Sequence, residues 1–146
     1  MKIAIGADHR GYQVKNSIGD YLKKEQYVVI DCGTNSDESC DYPGIAYAVA
    51  KAVQTKEADY GILICNSGIG MAIVANKVSG IRAALCHNEN SATLSKQHNN
   101  ANVLVLAAGE ISSGMNDIIK TWLNTKFEGG RHERRVNQIT DIETRV

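Results

Sequence analysis

The chain of 146 residues has little of several features that mark particular classes of protein. It has one proline, one tryptophan and one phenylalanine, and its four cysteines form no CxxC pair. Sixteen basic and sixteen acidic side chains give a formal net charge of zero, which excludes the broad positive surface of most nucleic-acid-binding proteins. The longest stretch without a charge, residues 60–76, is rich in glycine and polar residues and is a poor membrane span.

Two further absences bear on the compartment and on metal binding. Asp8, His9 and Arg10 interrupt the first apolar residues too early for a signal peptide. The cysteines and histidines follow no metal-binding spacing. We therefore expect a cytoplasmic protein with free thiols and no metal, and with neither nucleic acid nor membrane as a partner.

Short apolar runs alternate with amphipathic patterns along the whole chain. The runs are rich in branched side chains and end at turn-forming or polar residues, as buried parallel strands do. They cover residues 2–7, 27–30, 60–64, 81–86 and 103–108. Apolar residues at helical spacing lie between them. This alternation predicts one α/β domain over residues 1–146, with a parallel sheet covered by helices on both faces.

Ligands of open α/β sheets bind outside the carboxyl ends of the strands, which directs attention to residues 65–70, Cys-Asn-Ser-Gly-Ile-Gly. They follow a predicted buried strand and precede a helix expected to start at about Met71. Gly68 and Gly70 permit a tight turn whose free N–H groups suit an anion. An ordinary strand-to-helix turn has the same glycines, so this pattern alone leaves both interpretations open.

Cys65 lies at the mouth of this loop. Thiols near helix N-termini form thiolates readily and serve as nucleophiles or general bases, whereas most free cysteines are buried and inert. We expect the inert state for the other three cysteines. Asp8 and His9 end the first strand, where they either bind a sugar phosphate or cap a helix that begins near Arg10.

Two arginines and a histidine complete the set of candidates. Arg131 and Arg135 are four residues apart on a predicted C-terminal helix of about residues 131–145, where they form either a phosphate-binding pair or an ordinary solvated face. His98 lies between the fourth predicted helix and the last strand, and its surroundings are typical of a surface histidine. The same holds for His87 and His132. Ser112 and Ser113 are the expected caps of the helix that follows them.

Taken together, the motifs resemble the ribose-5-phosphate isomerase type B family, which includes related sugar-phosphate isomerases. They are MKIAIGADHRG, DYPG, ILICNSGIGMAIVANK, SKQHNNANVLVL and GGRHERRV, in the family's order from Met1 to about Thr140. The resemblance implies a three-layer α/β/α, Rossmann-like domain with a five-stranded parallel sheet. It also implies a homodimer or tetramer with active sites shared between subunits, and no metal or organic cofactor.

The resemblance further implies reversible interconversion of D-ribose 5-phosphate and D-ribulose 5-phosphate through a cis-enediolate, in the non-oxidative pentose phosphate pathway. Cys65 matches the catalytic base, Ser67 a proton relay, and His98 the group that opens the furanose ring. The positions matching the substrate site are Asp8, His9, Asn66, Ser67, Gly68, Ile69, Gly70, Asn99, Arg131 and Arg135.

Two departures from the family pattern concern the same site. Asn66-Ser67 stands where Gly-Thr is frequent, and the serine keeps the hydroxyl. Glu110 stands where many relatives carry an arginine, which would weaken one phosphate contact. The alternatives are an isomerase of a six-carbon sugar phosphate such as allose 6-phosphate, and a non-catalytic sensor of sugar phosphates. Cys65 argues against galactose 6-phosphate, and together with Ser67 it favours catalysis over sensing.

Overall fold

The computed structural model describes residues 1–145 as five strands and six helices in alternation. The strands are β1 (Lys2–Ala7), β2 (Val28–Asp31), β3 (Tyr60–Cys65), β4 (Ala83–Leu85) and β5 (Val103–Ala107). The helices are α1 (Tyr12–Lys24), α2 (Tyr42–Gln54), α3 (Ile69–Ala75), α4 (Glu89–Asn99), α5 (Met115–Asn124) and α6 (Arg131–Glu143). All strand pairs are parallel, in the order β2-β1-β3-β5-β4. The predicted α/β class with a five-stranded parallel sheet is confirmed.

Helices cover both faces of the sheet. Side chains alternate along each strand, so Ile5 and Leu104 pack on one face with α1, α4 and α5, where Trp122 is fully buried. Leu63 and Val105 pack on the other face with α2 and α3. The three central strands are therefore buried on both sides, which explains their unbroken apolar runs. Within residues 1–145, none of the helices has the length and apolar character that a bilayer span requires.

Several element boundaries differ from the prediction. β4 covers only Ala83–Leu85, because Arg82 lies outside the ladder and its guanidinium caps the end of α4. α3 begins at Ile69 rather than near Met71. α5 begins after Gly114, whose φ of 82° is left-handed, and no serine side chain caps it.

A buried lysine joins α4 to the core. Nζ of Lys96 lies 3.9 Å from the ring centroid of Tyr60 and 4.6 Å from that of Trp122, and donates to the carbonyl oxygen of Ala101 at 3.4 Å. The two π faces stabilise a cation that has lost most of its water. Burial lowers the pKa of Lys96 to about 8, and the Arg82 cation adds to this shift.

Lys96 is expected to make the free energy of unfolding increase with pH. In the unfolded chain the lysine has its ordinary pKa of 10.5, so between pH 8 and 10.5 the unfolded state binds more protons than the folded state. The shift corresponds to at most about 3 kcal/mol. Denaturant unfolding of wild type and Lys96→Met across this pH range should show wild type gaining stability relative to the variant.

The comparison isolates Lys96 from the other groups that titrate in this range. Burial raises the pKa of Cys32 and of Cys86, which lowers folded-state stability as pH rises, but both proteins contain these thiols and the effect cancels. A constant difference between the two proteins from pH 8 to 10.5 would show that Lys96 does not contribute in this way.

Candidate active site

The sulfur of Cys65, the last residue of β3, lies at the start of the predicted loop. The N–H of Gly68 donates to Cys65 Sγ at 2.9 Å, and this bond stabilises a negative sulfur more than a neutral thiol. Gly68 has a φ of 76°, and a Cβ there would lie 2.4 Å from Cδ1 of Leu85. The glycine is therefore required both for the turn and for the close approach of its N–H to the sulfur.

The loop is fixed to the end of β5. The N–H of Ala108 donates to the carbonyl oxygen of Cys65 at 2.8 Å, and the N–H of Gly109 donates to that of Asn66 at 2.9 Å. The Asn66 side chain lies against Gly109, where a Cβ would be 2.4 Å from Oδ1. These contacts hold the backbone beside the sulfur in one position.

A cleft of about 520 Å³ opens in front of the loop, lined by Asp8, Tyr42, Cys65, Asn66, Ser67 and Gly70 among others. Cys65 is 7% exposed, so its sulfur is largely desolvated but lines the cleft. Tyr42, at the start of α2, lies over Gly70, where a Cβ would be 2.5 Å from the ring. This contact was not predictable from local sequence patterns, because Tyr42 and Gly70 belong to different helices.

Two residues that line the cleft have backbone N–H groups without a hydrogen-bond partner in residues 1–145. Ser67 Oγ accepts the N–H of Ile69 at 3.3 Å. Within residues 1–145 the N–H groups of Ser67 and Gly70 have no acceptor. Two unpaired donors close to a sulfur can hold an oxygen that becomes negative when a neighbouring carbon loses its proton.

Asp8 forms one wall of the cleft and fixes the start of α1. Its Oδ1 accepts the N–H groups of Arg10 and Gly11, each at 3.0 Å. The helix accordingly starts at Tyr12 rather than near Arg10. Because both bonds use Oδ1, Oδ2 is the oxygen that can accept a hydroxyl from a ligand.

His9 is held by the backbone of Cys40. The N–H of Cys40 donates to His9 Nδ1 at 3.3 Å, and Cys40 Sγ lies 4.0 Å from the same nitrogen. With Nδ1 as acceptor, the neutral ring carries its proton on Nε2. His9 therefore offers an N–H donor suited to an anion at the same edge of the sheet as Cys65.

His98 and Asn99 lie in the last turn of α4, so the prediction that they fall between helix and strand was wrong. Arg82 accounts for the longer helix. Its Nε donates to the carbonyl oxygens of Asn99 at 2.9 Å and Asn100 at 3.0 Å, so the last carbonyl groups of α4 have hydrogen-bond donors. The backbone N–H of Glu128 donates to the carbonyl oxygen of Gln97 at 3.1 Å, which brings the start of α6 to the same place.

The first two turns of α6 present one buried and one exposed face. Arg131 and Arg135 are both exposed, as their spacing predicts for a pair on one side of the helix. His132 and Val136 are buried on the other side. The prediction that His132 is a surface histidine was wrong, although its spacing of four from Val136 after Gly-Gly was a usable signal of an inward face.

His132 lies directly against His98. Their ring centroids are 4.2 Å apart and the planes differ by 8°, a stacked arrangement. Oε2 of Glu128 lies 3.5 Å from His132 Nε2. Burial lowers the pKa of His132, and the positive charges of protonated His98, Arg131 and Arg135 lower this pKa further. The negative charge of Glu128 raises it and so opposes the shift.

The polar atoms of His98, Glu128 and His132 fall within 4.8 Å of one another, which raises the question of a metal ion. A histidine nitrogen binds a metal along its lone pair, which lies in the ring plane. Because the two rings are stacked with nearly parallel planes, their lone pairs lie in separate planes and do not converge on one ion. The arrangement suits acid–base chemistry better than metal coordination.

One chain places the predicted site residues at opposite edges of the sheet. Cys65 and its loop lie at the carboxyl edge, whereas α4 ends at Asn99 just before the amino end of β5. β5 alone separates these edges by roughly 15 Å. α6 stays at the amino edge, because the Glu143 carboxylate accepts the Ser79 hydroxyl and the Gly80 N–H, both just before β4.

The remaining candidates have other contacts. Nδ1 of His87 lies 3.3 Å from Oε2 of Glu110, and both side chains are about half exposed. All four cysteines are free thiols, and burial raises the pKa of Cys32 and of Cys86. Of the thiols, Cys65 is the one that combines an N–H donor on sulfur with a place in the cleft.

The chain is similar to known proteins over nearly its whole length. Residues 3–139 match the family model described as Ribose/Galactose Isomerase. The chain is 47% identical over 145 residues to ribose-5-phosphate isomerase B of Escherichia coli, covering 99% of this chain and 97% of that protein. Among solved structures, ribose-5-phosphate isomerase B of Clostridium thermocellum is 50% identical with a TM-score of 0.97, covering 99% of each chain. The Mycoplasma genitalium ribose-5-phosphate isomerase B with bound ribulose-5-phosphate is 42% identical with a TM-score of 0.94, covering 99% of this chain and 97% of that one.

Proposed function

Because the chain belongs to the Ribose/Galactose Isomerase family, we propose that it interconverts D-ribose 5-phosphate and D-ribulose 5-phosphate, with Cys65 as the base. The observation that carries this proposal is the position of the Cys65 sulfur in the cleft, next to unpaired backbone N–H groups. The reaction belongs to the non-oxidative pentose phosphate pathway, and we place it in the cytoplasm.

The chemistry requires one proton to move between neighbouring carbons. The Cys65 thiolate takes the proton from C2 of the open-chain aldose, and the C1 carbonyl oxygen becomes the negative oxygen of an enediolate. The N–H groups of Ser67 and Gly70 stabilise that charge. Ser67 Oγ moves a proton from O2 to O1, and Cys65 returns its proton to C1, which gives the ketose.

The sugar and phosphate need groups beyond this loop. Asp8 Oδ2 accepts a sugar hydroxyl, and His9 donates from Nε2 to the phosphate. His98 exchanges a proton with the ring oxygen and the C1 hydroxyl to open the furanose, and Asn99 binds the sugar. Arg131 and Arg135 bind the phosphate, where two guanidinium groups on one helix face suit its oxygens.

A second copy of the chain brings the two halves together in this proposal. Cys65 and His98 lie at opposite edges of the sheet, so one chain alone cannot place both on one pentose.

Large apolar side chains surround the cleft: Tyr42, Ile69 and Ile73 are 39%, 55% and 56% exposed. Ile139 and Ile142 form a second exposed apolar stripe on α6. Such surfaces are what an interface between subunits buries, and α6 of the second copy carries the missing arginines.

Turnover of three sugar phosphates tests the activity. We expect the purified protein to convert ribose 5-phosphate and ribulose 5-phosphate to the same equilibrium mixture, measured by NMR, with a lower kcat/KM for allose 6-phosphate. A higher kcat/KM for allose 6-phosphate would make a six-carbon sugar phosphate the substrate. Binding of ribose 5-phosphate without any conversion would identify a sensor and contradict the proposal.

A further inference from the structure

Opening a furanose places two demands on His98. Its ring must point accurately at the substrate, because misplacement of a catalytic group by about 1 Å can cost a hundredfold in rate. Its nitrogens must also be free, since a proton is taken up at one atom of the sugar and released at another. His98 is half-buried on the last turn of a helix, where a side chain without a partner would sample several rotamers.

The stack with His132 meets both demands. Contact between ring faces restrains the rotation of His98 but uses neither of its nitrogens. Within residues 1–145, no side chain or backbone group makes a hydrogen bond to the His98 ring. Holding the ring by hydrogen bonding, as Cys40 holds His9, would occupy a nitrogen that the reaction needs.

The surroundings of His132 favour the neutral form of its ring. Its pKa is lowered by burial and by the facing cations, which are His98 when protonated on α4 and Arg131 and Arg135 on α6. Glu128 is the acidic group that faces it, at 3.5 Å. A neutral ring offers a π face to His98 in either protonation state of His98 and does not compete for its proton.

We propose that His132 is a positioning residue that holds the His98 ring by stacking for the ring-opening step. The inference rests on the proposed isomerase function and on the role of His98 in it. It assigns His132 no contact with the substrate and no proton transfer of its own. The restraint comes from the flat face of His132, not from its nitrogens.

Two substrates separate ring opening from proton abstraction. Ribose 5-phosphate is mostly a furanose and must be opened, whereas ribulose 5-phosphate with its phosphate on C5 is acyclic and can lose a C1 proton directly. The rate of deuterium uptake at C1 of ribulose 5-phosphate in D₂O therefore reports on Cys65 and the phosphate contacts without the ring-opening step. A variant in which only His98 is misplaced should slow ribose 5-phosphate turnover and leave this exchange unchanged.

The variants are His132→Leu, which removes the flat ring, and His132→Phe, which keeps it without nitrogens. We expect His132→Leu to lower kcat for ribose 5-phosphate roughly tenfold, with ribulose 5-phosphate exchange within twofold of wild type. His132→Phe should retain at least about half the wild-type kcat. In NMR spectra, the ring-current shift of the His98 ring protons should disappear in His132→Leu and persist in His132→Phe. His87→Leu, an exposed histidine outside the site, is the matched control and should match wild type.

The outcomes distinguish failure of this inference from failure of the proposed function. If His98→Ala lowers ribose 5-phosphate turnover but His132→Leu does not, the positioning role is wrong and the function stands. Equal losses in turnover and in exchange for His132→Leu would show a general structural role and overturn the inference. If His132→Phe behaves like His132→Leu, a ring nitrogen is essential and stacking is not the mechanism. If His98→Ala leaves turnover unchanged, the ring-opening role of His98 itself is wrong.

Discussion

Cys65→Ala is expected to lower kcat for ribose 5-phosphate by roughly 10³-fold, the range typical for loss of a general base. The substitution removes the atom that takes the proton and leaves the backbone N–H groups and the phosphate contacts in place. The dissociation constant for ribose 5-phosphate, measured by calorimetry on the variant, should therefore stay within a few-fold of the KM of wild type. Loss of rate without loss of binding is the signature of a group used only in the chemical step.

Two controls make this result specific. Cys65→Ser keeps an acceptor for the Gly68 N–H, but a hydroxyl is too weak an acid to supply an anionic base at neutral pH, so we expect a loss similar to that of alanine. Cys86→Ala removes another buried thiol, at the end of β4 and away from the loop, and should keep near wild-type kcat. If Cys65→Ala retains more than a tenth of wild-type kcat, the base lies elsewhere.

Mixing two inactive variants is expected to restore activity. In a dimer whose sites each combine Cys65 of one copy with His98 of the other, Cys65→Ala paired with His98→Ala has one site with both residues intact. Random exchange of subunits from an equal mixture should then regenerate about a quarter of the sites. The measurement is the kcat for ribose 5-phosphate after the two variants are unfolded and refolded together, compared with each refolded alone.

The matched control for this experiment is a pair of substitutions in the same loop of the chain. Cys65→Ala mixed with Ser67→Ala should remain inactive, because both residues lie on the same loop and no combination of these chains contains an intact site with both. If the Cys65→Ala and His98→Ala mixture stays as inactive as its components, the two residues do not meet across subunits.

The arrangement of the sheet was predictable because each central strand is buried on both faces. That burial requires an unbroken apolar run such as residues 103–107, and the run is visible without any knowledge of its neighbours. The loop after β3 was predictable for a similar reason, since a left-handed residue beside a strand end demands a glycine, here Gly68. The chemistry of Cys65 follows from its place between these two local features.

The contacts between distant segments were not predictable in this way. Stacking of His98 on His132 depends on how α6 crosses the end of α4, and neither local pattern encodes that crossing. The helical position of His98 depends on Arg82, which satisfies the carbonyl groups that would otherwise favour an earlier end to the helix. The separation of Cys65 from His98, by contrast, follows from the parallel direction of the strands, because the loop after β3 lies at the carboxyl edge and the end of α4 lies at the amino edge.

The transfer of a carbon-bound proton by one sulfur is most directly tested at the carbon itself. Wild type and Cys65→Ala are each incubated with ribulose 5-phosphate in D₂O, and the C1 proton signal is followed by NMR at saturating substrate. We expect loss of that signal with wild type and, with Cys65→Ala, loss that is roughly 10³-fold slower. Deuterium uptake by Cys65→Ala at a rate near that of wild type would contradict this expectation.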